Sequence, residues 1–313
     1  MPHSLNVDIW SDIACPWCFI GKRRFEKALA AFPHKDQITV TWHSFQLDPS
    51  LPEHYDGTEL EYLSQRKGMQ PERVEQMFGH VAQVAAAEGL AYDFAKVVVA
   101  NSFAGHELLH LAKAVDAERA GAGAGVGAAS IADGMPDAAD AATAVTPGTA
   151  DAVKEALFSA HFERGLDIGS RDVLVEVGLA AGLPEARINE ALDAGTYRDA
   201  VHSDIRHAQM LGIQGVPFFV FDNKYGVSGA QPSDLFAEAL DTAWRESNPL
   251  VMVGAPATGV VTGGAAANGG AGSGAAANRG AGSGAAANRG AGSGDALAAD
   301  EGLNGEVCGP EGC

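Results

Sequence analysis

Leu5-Asn6-Val7-Asp8-Ile9-Trp10, followed closely by Cys15-Pro16-Trp17-Cys18 and then by Phe25, Ala28, Leu29 and Phe32, is the stretch that decides the fold. Leu5, Val7 and Ile9 alternate with polar residues, the pattern of a short buried strand. The run through Phe32 has helical spacing, and Pro33 marks its end. A C-x-x-C between a strand and a helix is reactive by position. The unpaired N–H groups and dipole of a helix start stabilise a thiolate, which is the attacking species in disulfide exchange. Cys15 is therefore predicted to be the exposed nucleophile, and Cys18, one turn further in, the resolving thiol. Pro16 suits a first helical turn, where its missing N–H costs little. The competing reading is half of a zinc site. That needs a second ordered ligand pair, and the only other cysteines, Cys308 and Cys313, lie beyond a Gly/Ala-rich stretch.

Outward from this stretch, Ile38, Val40 and Trp42 alternate within 37–47 and predict a second strand. Strand, helix and strand in this order predict a right-handed parallel unit. Helical periodicity then takes over through Tyr62, Leu63, Val74, Met77, Phe78 and Val81, and again through Leu108, Leu109 and Leu111. Further helices are predicted at 151–162, 171–181, 184–192 and 196–211, with Ser170 as an N-cap and Pro184 in a first turn. Phe218-Phe219-Val220-Phe221, a turn at Asp222-Asn223-Lys224, and Tyr225-Gly226-Val227 predict a hairpin. A closing helix follows over 232–245. Two stretches lack the bulky apolar residues that offset ordering entropy. One is 120–150, rich in Ala, Gly and Asp; the other lies beyond Leu250, where AGSGAAANRG stands at 271–280 and again at 281–290. The expected organisation is thus 1–56 and 212–249 as two parts of one fold, 57–211 as an inserted helical domain, and 250–313 as a disordered tail.

The formal net charge is −19, from 40 acidic and 21 basic residues. Nucleic-acid binding needs clustered cations to neutralise phosphates, so that class is excluded. No apolar run reaches the ~20 residues of a membrane helix. Met1-Pro2-His3-Ser4-Leu5 has neither a basic nor an apolar leader region, which predicts a cytoplasmic address. Structural disulfides are uncommon there, so close-spaced cysteines read as reactive. Two other motifs fail on context. His106-Glu107-Leu108-Leu109-His110 matches H-E-x-x-H, but Lys113 stands where the extended zinc motif has glycine. The glycines from Gly123 to Gly127 follow no strand, so they are not a dinucleotide fingerprint. No metal and no cofactor are expected.

Cys15-Pro16-Trp17-Cys18 with Phe19-Ile20-Gly21, Trp42-His43-Ser44-Phe45, the helical insertion, and Gly215-Val216-Pro217-Phe218 together resemble the DsbA-like thioredoxin family. The resemblance is to its FrnE-like branch, close to the 2-hydroxychromene-2-carboxylate isomerases and kappa-class glutathione transferases. It covers 5–248 without 120–150. It implies an α/β thioredoxin fold with a large all-helical domain inserted between the second and third strands. It also implies that Cys15 is the nucleophile, Cys18 the resolving thiol and Pro217 a cis proline beside them. The backbone of Val216 would then hold an extended substrate, next to Pro16 and Trp17, and Asn101, Ser102 and His106 would line the groove across from the cysteines. The implied activity is protein thiol–disulfide oxidation, reduction or isomerisation, with protein thiols, glutathione or another small thiol as partners. The alternative is a glutathione-dependent isomerase or transferase acting on small aromatic substrates. Those relatives carry serine at the position of Cys15, so the intact pair favours redox work. FrnE-like proteins can carry a tail cysteine pair. A Gly-rich linker of ~50–60 residues reaches about 40 Å, enough to bring Cys308 and Cys313 to the first pair as an auxiliary dithiol.

Overall fold

The computed structural model of the chain describes residues 4–52, 55–124 and 148–249. Strand β1 (Leu5–Ser11) is central in a sheet of order β2-β1-β3-β4. It pairs in parallel with β2 (Ile38–Ser44), from Leu5 opposite Ile38 to Ser11 opposite Ser44. On its other side it runs antiparallel to β3 (Phe218–Phe221), which turns back into β4 (Tyr225–Ser228). The hairpin turn places Asp222 and Asn223 at positive φ, 52° and 54°, a conformation that short polar side chains tolerate. Helix α1 (Pro16–Ala31) crosses from β1 to β2, and α9 (Ser233–Ser247) packs beside it. Leu5, Val7 and Ile9 share one buried cluster with Phe25, Phe219, Phe221 and Phe236. Trp10 belongs to a second cluster, with Cys15, Phe19 and Val216. Burial of a central strand on both faces is what covering helices produce.

Between β2 and β3 the chain is helical. It forms α2 (Glu59–Lys67), α3 (Pro71–Ala87), α4 (Phe103–Ala124), α5 (Thr149–Phe162), α6 (Arg171–Ala180), α7 (Glu185–Ala194) and α8 (Arg198–Met210). Thr58 starts α2 with a reciprocal cap: its hydroxyl accepts the Glu61 N–H at 3.2 Å, and Glu61 accepts the Thr58 N–H at 2.8 Å. Ser170 is the N-cap residue of α6 without a side-chain bond, and Pro184 stands at the N-cap of α7, one place outside the helix.

The expected unstructured stretch 120–150 is too wide at both ends. Helix α4 continues to Ala124, and α5 already begins at Thr149. For α5 the reason is a side chain from the neighbouring helix. Asp116 of α4 accepts the otherwise unpaired N–H groups of Thr149 at 2.9 Å and Ala150 at 2.8 Å, and so caps α5. Residues 125–147 lie outside the described residues, as does 250–313 with the Cys308–Cys313 pair.

Candidate active site

The loop from β1 delivers Cys15 to the N-cap of α1, with extended backbone (φ −99°, ψ 116°) and Pro16 at the first helical position. The Cys15 N–H donates to the Asp12 carbonyl at 3.2 Å, and the Cys18 N–H to the Cys15 carbonyl at 3.1 Å. Both cysteines are free thiols. Val216 precedes a cis peptide bond to Pro217, at the entry to β3. The Cys15 thiol donates to the Val216 carbonyl at 3.6 Å, across 201 residues of sequence. Close approach of α1 to this proline requires a glycine. A Cβ on Gly21 would lie 2.9 Å from Pro217 Cγ.

Cys15 is not the exposed nucleophile that the sequence predicts. It and Cys18 are fully buried, in one cluster with Trp17, Phe19, Phe158 and Val216. The inserted helices roof a helix start that would otherwise face solvent. Burial pushes the Cys15 thiol well above the ordinary cysteine range, and the adjoining Cys18 and the charge of Asp12 push in the same direction. Desolvation thus outweighs the helix dipole in this conformation.

Sequence reasoning missed Asp12. Its carboxylate accepts N–H bonds from Ala14 at 3.3 Å and from Leu47 at 2.8 Å, and meets His106 Nε2 at 3.4 Å. It therefore ties the loop before Cys15 to the loop after β2. Burial alone would raise the carboxyl, but the bonds from His106 and Leu47 prevail and hold it below the usual range. An acidic residue closing an apolar strand three places before a C-x-x-C was the available signal. Tyr92, also missed, donates to the Pro16 carbonyl at 2.7 Å and anchors the first turn of α1.

Of the three residues expected across the groove, one faces a cavity beside Cys15. Ser102 lines a space of about 340 Å³ that reaches Ala14 and Pro16, the neighbours of Cys15. Asn101 lines a different cavity and serves as a brace. It accepts from Gln46 and the Phe103 N–H, both at 2.9 Å, and donates to the Leu51 carbonyl at 2.6 Å. His106 is fully buried behind Asp12. Residues 101 and 102 lie in the non-helical lead into α4, where successive side chains diverge, and residue 106 is one turn inside the helix. The two H-E-x-x-H histidines take separate partners: His110 bonds Ser44 at 3.2 Å and Asp204 at 3.0 Å. Among the described residues, no group of three or more His, Cys, Asp or Glu is placed to hold a metal ion.

Helix α5 turns Lys154, Phe158 and His161 toward the site, and all three are buried. Phe158 stacks on Phe19, the residue after Cys18, at 4.9 Å. Lys154 has no hydrogen-bond partner; its ammonium sits 4.8 Å from the Phe158 ring centre and 5.5 Å from that of Trp42. His161 lines the 340 Å³ cavity, and its Nδ1 is likewise unpartnered.

A sheet of this order, a C-x-x-C at the N-cap of the crossing helix and a cis proline across from it define a thioredoxin-fold protein. The chain belongs to the DsbA-like thioredoxin family: the model of the DSBA-like thioredoxin domain matches residues 6–124 and 126–241. A probable DsbA oxidoreductase from Streptomyces coelicolor is similar to it in structure, with a TM-score of 0.63 and 38% identity, over 82% of this chain and 97% of that one. A putative protein disulfide isomerase from Nitrosomonas europaea shares the fold, with a TM-score of 0.52 at 14% identity, over 78% of this chain and 99% of that one. The uncharacterized protein YwbO of Bacillus subtilis is 24% identical over 249 residues, covering 76% of this chain and 96% of the relative. Among the described residues no helix is long and apolar enough to cross a membrane.

Proposed function

We propose that the chain is a thiol–disulfide oxidoreductase acting through Cys15 and Cys18. The observation that carries this reading is the Cys15 thiol held on the Val216 carbonyl, at the N-cap of α1 and beside cis Pro217. As the reductant, Cys15 loses its proton and attacks one sulfur of a disulfide. A Cys15–sulfur bond forms, the substrate S–S bond breaks, and the first substrate thiolate leaves with the proton. Cys18, deprotonated in turn, attacks Cys15 Sγ and expels the second thiolate, which leaves the Cys15–Cys18 disulfide. The reverse sequence oxidises a dithiol. Val216 lends its backbone to the substrate once the Cys15 thiol has left that carbonyl. Pro16 and Trp17 form the first turn beside it.

Insulin reduction and refolding of a scrambled disulfide protein test the reading. Cys15→Ser abolishes both, and Cys18→Ser accumulates a mixed disulfide on Cys15 that mass spectrometry detects. Undiminished exchange in Cys15→Ser disproves it.

A further inference from the structure

The 340 Å³ cavity that reaches Ala14 and Pro16 is of small-molecule size, and its lining differs in character from end to end. Its walls carry an aromatic platform, Phe78 and Phe94, stacked at 4.4 Å and 4°. At the buried end His161 is 2% exposed with Nδ1 unpartnered, and buried Ser102 lines the same cavity. A buried polar atom without a partner costs stability until something bonds it. The end nearer solvent carries Glu59, Tyr62 and the pair of Asp48 and Arg66. Arg66 is the only Lys or Arg among the described lining residues, and it is engaged by Asp48 through Nε and Nη2, each at 2.9 Å. Asp12, Asp48 and Glu59 therefore face the space with no uncommitted lysine or arginine among them to receive an anion.

Cys15 itself is buried in one cluster with Trp17, Val216 and Phe158. A single thiol chain lying in the cavity passes Ala14 and Pro16, the residues on either side of Cys15.

We propose that the cavity is the substrate subsite for low-molecular-weight disulfides that are uncharged, with an aromatic body on Phe78 and Phe94 and a terminal hydroxyl bonded to His161, and that it disfavours carboxylate-bearing ones such as oxidised glutathione. This rests on the exchange reading above. The reaction is the same: Cys15 attacks the nearer sulfur, the S–S bond breaks, the outer thiol leaves protonated, and Cys18 then releases the half seated in the cavity. Burial pushes the Glu59 carboxyl up to about 7, so its repulsion of anions grows as pH rises through neutrality. Burial holds His161 down to about 4, which keeps its imidazole neutral there and ready to bond a hydroxyl.

Three disulfides test this on the reduced full-length chain. They are those of 4-(2-mercaptoethyl)benzyl alcohol and 4-(2-mercaptoethyl)benzoic acid, which differ only at the para group, and oxidised glutathione. Oxidation of the peptide holding Cys15 and Cys18 is followed by mass spectrometry, and each rate is divided by the rate at which the same disulfide oxidises free dithiothreitol. The benzyl alcohol disulfide is expected to react at least tenfold faster than either anionic one at pH 8. Glu59→Gln, at a half-buried position, should cut that preference at least threefold. Equal or faster oxidation by the anionic disulfides overturns the subsite, as does a preference unchanged in Glu59→Gln. Failure of all three to oxidise Cys15, while the same disulfides oxidise free dithiothreitol, overturns the exchange reading itself.

Discussion

Replacing Lys154 by methionine should stabilise the fold at neutral pH and weaken the chemistry. The ammonium is fully buried without a hydrogen bond, and burial depresses it from an ordinary 10.5 to about 8 despite the attraction of Cys18 and Asp12. At about 1.4 kcal/mol for each tenfold in proton affinity, keeping it charged at pH 7 costs the folded state about 3 kcal/mol. Methionine is of similar length and leaves no charge to desolvate. The sign follows from linkage. Between pH 8 and 10.5 the unfolded chain binds the proton more tightly, so wild-type stability gains with rising pH. Below 8 the cost is fully present. Lys154→Met should therefore unfold about 3 kcal/mol later at pH 7, a urea-midpoint shift of at least about 1 M, and the difference should vanish by about pH 10.5. The same cation interacts with the cysteine pair, so thiol exchange should slow as stability rises. A destabilised variant at pH 7, or a stability difference that does not change with pH, would refute the reasoning.

Three further outcomes are expected. Alkylation of folded, reduced Cys15 by iodoacetamide should be at least about tenfold slower at pH 7 than that of unfolded chain, since burial raises the thiol. Its rate should still climb beyond pH 9; a plateau below pH 8 contradicts this. Gly21→Ala brings a Cβ to 2.9 Å from Pro217 and should cost about 1–3 kcal/mol together with exchange rate. Gly79→Ala, with nothing within 4 Å, should gain up to about 1 kcal/mol by helix propensity, and thermal melts compare the two. Asp204 accepts the Ser44 N–H at 2.9 Å and pairs with His43 and His110, which, against burial, holds its carboxyl far below the ordinary range. Its stabilisation is present above pH ~4 and lost as pH falls below that. Asp204→Asn should therefore flatten the acid limb of the denaturation profile.

Much of the architecture was legible because it is local. The alternation of Leu5, Val7 and Ile9, and the helical spacing through Phe25, specify β1 and α1 without reference to any other segment. The same holds for the Phe218–Phe221 hairpin, whose turn residues accept positive φ. The cysteine motif between them announced its position at the N-cap of α1. Asp116 shows where local reading stops. The start of α5 looks featureless in sequence, yet it is capped by a carboxylate 33 residues away.

The amino-acid sequence alone determined the strand–C-x-x-C–helix unit, since periodicity, caps and turn chemistry act over a few residues; the proline opposite it was legible only through the family resemblance. Only the tertiary structure decided that Cys15 is roofed, that Asp12 braces its loop, and that Lys154 Nζ and His161 Nδ1 are buried near the site without hydrogen-bond partners. Those are matters of desolvation and of which distant side chains share one enclosed space. Burial is a sum over the whole packed chain, and no short stretch of sequence contains it.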